Sequence, residues 1–286
     1  MKVFNQYCIA FLLVLLVSCG GSGGGGSAPQ ISLPTLSGVA IDGNLKNARA
    51  FLDLNSNGVF DLSEPNALTD DSGKFTISAT ADQLKNNALV VAAIAGQTVD
   101  QDAPNTPISQ SFSMTAPIGK ADVISPLTTQ IAAKVNAGMS LSNAEAAVSA
   151  DLGFSASDLY VNYLKLDASD RRYAELHNIA ASTVEVLKNI EATAGNGKTL
   201  SERAQLISEQ VATKVVGNLS VIKAASSPAA ASALITDRTN VVGGETSTGG
   251  GASSGGGASS GGGGASISPV AAAKCNGLCF KVGVKK

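Results

Sequence analysis

Two glycine- and serine-rich runs fix where this chain can form a core. Residues 20–27 are Gly and Ser throughout, and residues 243–266 are Gly, Ser, Ala and Thr with the single charge of Glu245. Such runs have no apolar side chains to bury and behave as flexible coils, the second with a root-mean-square span of about 25–30 Å. Everything that can bury apolar surface on a useful scale lies between them, and composition divides that stretch into a β-rich part at 31–117 and a helical part at 125–242.

The N-terminus reads as an export signal. Lys2 precedes an apolar run from Ile9 to Val17, only nine residues. A helix needs roughly 20 residues to span the ~30 Å hydrocarbon core of a bilayer. A charged start, a short apolar stretch and then small residues is the layout of a secretory signal peptide. The junction Leu16-Val17-Ser18-Cys19-Gly20 resembles the lipobox of bacterial lipoproteins. That resemblance implies a signal peptide at 1–18, acyl chains on Cys19, a tether at 19–30 and attachment to a membrane through the lipid. The alternative is an ordinary cleaved signal. By analogy with Gram-negative lipoproteins, Gly20 in place of Asp implies the outer membrane.

Once Cys8 has left with the signal and Cys19 is lipidated, Cys275 and Cys279 remain, flanking Asn276-Gly277. In an oxidising compartment they read as a small disulfide loop. A metal site there would need two further ligands nearby, and the segment supplies none. Net charge is −2 with 15% charged residues, so no basic field suggests nucleic acid. The lack of Trp and the 4% of aromatic residues argue against sugar-binding platforms and base stacking.

Short strands separated by turns fill the first part. Residues 48–54 alternate in part, Lys74-Phe75-Thr76-Ile77 alternates after the turn Asp70-Asp71-Ser72-Gly73, and Leu89 to Ile94 is a continuous apolar run suited to a strand buried on both faces. Ser111 to Met114 suggests another. Together they predict a small β-sandwich. In the second part, Ser125-Pro126 signals a helix start. Ser142 with Glu145 and Thr199 with Glu202 read as capping boxes. Stripes at Tyr173, Leu176, Ala180, Thr183, Leu187 and Ile190, and at Leu200, Ala204, Ile207, Val211 and Val215, predict long helices, with Ser227-Pro228 opening a last one. Short connections imply antiparallel neighbours. The fold class expected is therefore α+β: a small N-terminal β-sandwich, then an antiparallel helical bundle, with disordered Gly/Ser linkers.

One segment carries metal chemistry. From Asp53 to Glu64, oxygen-bearing side chains occupy loop positions 1, 3 and 5 (Asp53, Asn55, Asn57), Gly58 sits at 6, Asp61 at 9 and Glu64 at 12. Ca²⁺ takes six to eight oxygens, and a tightly wound loop delivers them from alternate residues. Gly58 permits the turn, the Val59 carbonyl supplies the seventh-position oxygen, and Glu64 can bind through both oxygens. The bland reading is a polar hairpin held by Asx-turns. Three charged ligands suggest a dissociation constant on the order of 10⁻⁵ to 10⁻³ M, suited to a structural role outside the cell.

The stretch from Gly38-Val39-Ala40 through the Asp loop, Glu64-Pro65 and Thr69-Asp70-Asp71-Ser72-Gly73-Lys74-Phe75 resembles the SdrD B-type calcium-binding β-sandwich repeats of bacterial surface adhesins. The likeness covers about 45 residues and implies a calcium-stabilised module at a cell surface. Ile124-Ser125-Pro126-Leu127-Thr128-Thr129 is similar to a stretch that follows such modules in Gram-negative surface lipoproteins.

Catalytic signatures are missing. The chain has one histidine, His177, placed mid-helix, on or beside an apolar stripe, where a packed or half-exposed residue is expected. The Gly-x-Ser-x-Gly spacing falls only within the Gly/Ser runs, at 20–24, 251–255 and 257–261, where no strand precedes it to make a nucleophile elbow, and no phosphate-binding Gly-x-x-x-x-Gly-Lys motif occurs, so a non-enzymatic protein is expected. Paired glycosidase carboxylates leave no trace in a single sequence. The C-terminal segment 267–286 is basic and alternates Phe280, Val282 and Val284 with Lys281, Gly283 and Lys285. It can fold back on the β part, or add to the sheet of an envelope or surface protein.

Two functional expectations follow: a structural, adhesive or scaffolding surface lipoprotein, or a ligand-binding or accessory lipoprotein of an envelope transport or secretion complex. A polar surface without a pocket favours the first. A deep apolar cleft between the β part and the helices favours the second, and convergent carboxylates in a cleft favour an enzyme.

Overall fold

The computed structural model describes residues 32–194 and 197–239. The signal peptide, the lipidation site Cys19, the 243–266 run and the C-terminal segment with Cys275 and Cys279 lie outside the described residues. The fold is mixed α+β.

Among the described residues nine strands form three small sheets: β1 (Thr35–Ala40), β2 (Leu45–Lys46), β3 (Arg49–Asp53), β4 (Asn66–Leu68), β5 (Lys74–Ser78), β6 (Ala88–Ala93), β7 (Val99–Asp100), β8 (Phe112–Ala116) and β9 (Val123–Ile124). The first sheet has the order β5-β1-β9, the second is β2-β7, and the third is β4-β3-β6-β8. Pairing is antiparallel except between β1 and β9, where Val39 faces Val123 in parallel register. Strand β5 alternates, with Phe75 and Ile77 buried between exposed Lys74, Thr76 and Ser78. In β6, Leu89, Val90 and Val91 are all buried, as a strand covered on both faces requires.

The turn before β5 needs its glycine. Gly73 has φ +74, and a Cβ there would stand 2.4 Å from the Ala40 carbonyl oxygen. The close approach lets Ala40 N–H donate to Gly73 O at 2.8 Å. Thr69, buried at the end of the preceding strand, accepts from Ala48 N–H at 2.9 Å and donates to Leu45 O.

The helices are α1 (Ala81–Asn86), α2 (Pro126–Asn136), α3 (Leu141–Leu152), α4 (Arg171–Ala194), α5 (Leu200–Gln210), α6 (Leu219–Lys223) and α7 (Pro228–Thr239). Ser125 and Thr199 form capping boxes with Thr128 and Glu202. The Ser142–Glu145 box expected for α3 does not form. Its cap is Ser140, which accepts from Asn143 N–H at 3.3 Å, while Glu145 accepts the Tyr160 hydroxyl at 2.8 Å. The stripe that predicted one long helix from Leu200 to Val215 breaks after Gln210 into a single π-turn, Val211–Val215.

Strands and helices share their cores. One cluster gathers Ala50, Leu52, Phe75, Ile77, Val91 and Met114 from two sheets and adds Val184 and Leu187 from α4. The other joins Leu127, Leu152, Tyr163, Leu176, Ile179 and Val215 of the helical part to Ile41 and Val123 of the β part. All described residues fall within one compact unit.

Candidate functional site

Strand β3 delivers Asp53 to the mouth of the motif loop, where it is 1% exposed. Its carboxylate accepts two backbone donors, Asn57 N–H at 3.1 Å and Gly58 N–H at 2.8 Å. That winding forces the left-handed region twice, at Ser56 (φ 58) and Gly58 (φ 69). Asn57 Oδ1 accepts from Val59 N–H at 2.7 Å and Asn55 Oδ1 from Asn57 N–H at 3.2 Å. Glu64, 4% exposed, closes the loop: one oxygen accepts from Leu54 N–H at 2.8 Å, the other from Asp61 N–H at 3.0 Å. Phe60 then folds over β3, 5.6 Å from the Phe51 ring and beneath the Arg49 guanidinium.

The side chains chosen from sequence are therefore brought together. Asn55 and Asn57 both donate to Asp61 Oδ2, at 2.8 and 3.0 Å, so three of the ligand candidates meet at one oxygen. By residue type the set suits Ca²⁺: three carboxylates, two amide oxygens and the Val59 carbonyl, all hard donors. The geometry differs from a closed cage. Among the described residues no three carboxylate, thiol or imidazole groups converge to hold a metal. The Asn55 and Asn57 amide oxygens accept backbone N–H groups, and each keeps a second lone pair. The carboxylate oxygens of Asp53 and Glu64 keep lone pairs beyond the backbone bonds they accept.

The loop also docks on a helix. Leu200 N–H, the first orphan donor of α5, binds Ser56 O at 3.1 Å. A Cβ on Gly58 would stand 3.4 Å from Arg203 Cδ. Arg203 is itself buried and paired with Glu191 at 2.7 Å.

A second constellation was not visible in the sequence. Asp42, Asp100, Asp102, His177, Glu185 and Lys188 line a cleft of ≈ 590 Å³ between the β2–β7 turns and helices α4 and α7. Asp100 and Asp102 come from one turn, in which Asp102 N–H donates to Asp100 Oδ1 at 3.0 Å. That turn is hydrogen-bonded to the segment beside Asp42 through Gln101 N–H to Asn44 O at 3.1 Å. His177, buried on α4, places Nε2 2.7 Å from Asp102 Oδ2 and stands 5.4 Å from the Tyr163 ring. Lys188 pairs with Glu185 at 2.7 Å. Burial, reinforced by the negative charge of Asp100, holds the Asp42 carboxyl well above the usual carboxylate range, and burial also raises Asp100. Aspartates lying this far apart in the chain share no periodicity, so only the fold could unite them.

Compared with protein-family models, curated proteins and solved structures, the chain matches none significantly. What fold and site define is a mixed α+β protein with an oxygen-rich loop clasped against a helix end and a separate acidic cleft lined by α4 and α7.

Proposed function

We propose that this chain is a lipid-anchored protein of the cell envelope, non-catalytic, whose β part is a sandwich-like module of the SdrD B type stabilised by Ca²⁺. Asp53, Asn55, Asn57, Asp61, Glu64 and the Val59 carbonyl would hold the ion, which would supply positive charge for three clustered carboxylates. The role is structural, adhesive or scaffolding at the outer membrane, with Cys19 carrying the lipid. The sandwich reading draws support from the core that Phe75 and Ile77 of one sheet share with Leu52, Val91 and Met114 of another. No helix among the described residues is long and apolar enough to cross a membrane.

The observation that carries the reading is the clasp: two buried carboxylates close a twelve-position loop that in turn binds the first amide of α5. An ion held there would tie strands and helices into one unit. A site saturated a hundredfold above its dissociation constant adds ~2.7 kcal/mol to stability, and in a domain of this size each kcal/mol moves the melting temperature by about 2–4 °C. The test is a thermal melt followed by circular dichroism, with Ca²⁺ and with chelator, beside Glu64→Gln. A rise of several degrees with Ca²⁺ that the variant loses supports the site. Coincident melts of the wild-type protein would leave the loop a hairpin and remove the basis for the calcium role. Loss of membrane attachment in Cys19→Ser tests the anchor.

A further inference from the structure

The acidic cleft has no part in the structural role proposed above. We propose that it binds a small organic amine, whose protonated nitrogen is taken up by Asp42, Asp100 and Asp102.

The argument starts from charge. Three aspartates from two abutting turns face the same cleft, and the lysine that lines it, Lys188, is already paired with Glu185. Asp42 is 7% exposed and its Oδ1 has no hydrogen-bond partner. A buried polar oxygen without a donor is costly, and a buried charge without a counter-charge more so. An ammonium group brings three donors and a positive charge, which is what the Asp42 carboxyl lacks.

Size and lining distinguish an organic cation from a metal ion. The ≈ 590 Å³ of the cleft lies within the 300–1,000 Å³ typical of small-molecule sites, and a bare ion would fill only a fraction of it. Helices α4 and α7 add apolar patches at Ala181, Val184 and Ala229 among the polar Asn178 and Ser232. Such a mixed wall receives a short alkyl body with a polar end. The Tyr173 ring, also lining the cleft and 5.9 Å from His177, offers a face to a second cationic end.

The probe is 1,5-diaminopentane, titrated calorimetrically into the full-length chain in detergent with a calcium chelator present, beside the neutral 1,5-pentanediol. Saturable binding of the diamine alone is expected. It should weaken about tenfold, the loss of one good charge-assisted contact, in Asp102→Asn. That side chain is 45% exposed, so its variant should keep the wild-type circular dichroism spectrum, and Asp100→Asn provides a second check. No saturable binding to the folded wild-type chain, equal binding of the diol, or affinity unchanged in both Asp variants would overturn the proposal. So would chelator-free Ca²⁺ binding that survives Glu64→Gln but disappears in Asp100→Asn, since that would make the cleft a metal site.

Discussion

The backbone N–H of Leu200 donates to the carbonyl oxygen of Ser56 at 3.1 Å, joining the first turn of α5 to a loop that lies more than a hundred positions earlier in the chain. Ser56 presents that carbonyl from a left-handed backbone, φ 58, and the contact satisfies an amide that has no partner inside its own helix. Whatever stiffens the loop therefore also steadies the start of the helix.

Gly58 is the place to test that coupling. Its φ of 69 and the 3.4 Å approach of Arg203 Cδ both resist a side chain. Gly58→Ala should lower unfolding free energy by at least about 1 kcal/mol, read as a shifted urea midpoint. Unchanged stability would show that the loop relaxes freely away from α5.

Thr69 serves two buried backbone groups at once, accepting from Ala48 N–H and donating to Leu45 O. Thr69→Val keeps the shape and strands both. A loss of about 1–3 kcal/mol is expected from the unsatisfied groups, measured by chemical denaturation. The neighbouring exposed Asp71→Asn, which breaks only a surface ion pair with Lys46, should cost under about 1 kcal/mol.

For α3 the two candidate caps give opposite expectations. Ser140→Ala should cost about 1 kcal/mol by removing the acceptor of Asn143 N–H. Ser142→Ala should be nearly silent under the same denaturation assay. The reverse order would restore the sequence-based assignment.

The sign of the pH effect at Asp42 follows from its raised pKa. A carboxyl whose folded pKa lies above its unfolded value favours folding while protonated. That contribution is complete below the unfolded pKa of about 3.9 and is lost as pH rises through the folded value. The groups coupled to it are Asp100, Asp102 and Glu185, which raise it, and Lys188, which lowers it. Asp42→Asn should therefore melt higher than the wild-type chain at about pH 7, with the difference shrinking toward about pH 4. Equal melting at both would mean that Asp42 ionises without penalty.

Local chemistry was the legible part of this sequence. The Asp-x-Asn-x-Asn-Gly spacing placed the loop residues together, because each is within a few positions of its partners and Gly58 dictates the turn. Thr199 with Glu202, and Ser125 before Pro126, marked helix starts for the same reason. Ser142 and Glu145 misled because Ser140 stands two residues earlier with equal capping ability, and Tyr160 claims the Glu145 carboxylate from another element. The stripe through Val211 and Val215 carried no mark of the π-turn. Nothing local announced the cleft either. Asp42, Asp100 and His177 meet only because β2 pairs with β7 and α4 packs across them, and such long-range pairing leaves no pattern in one sequence.

The parallel pair of Val39 with Val123 carries a consequence for biogenesis. Strand β1 sits between β5 and β9, so one edge of it stays open until Val123 and Ile124 have been made and delivered. A nascent or proteolysed chain ending near residue 117 presents that bare edge, with its unpaired amides and carbonyls, to any neighbouring strand. Rapid completion of the chain through α2 is then what keeps the unfinished protein from pairing with itself.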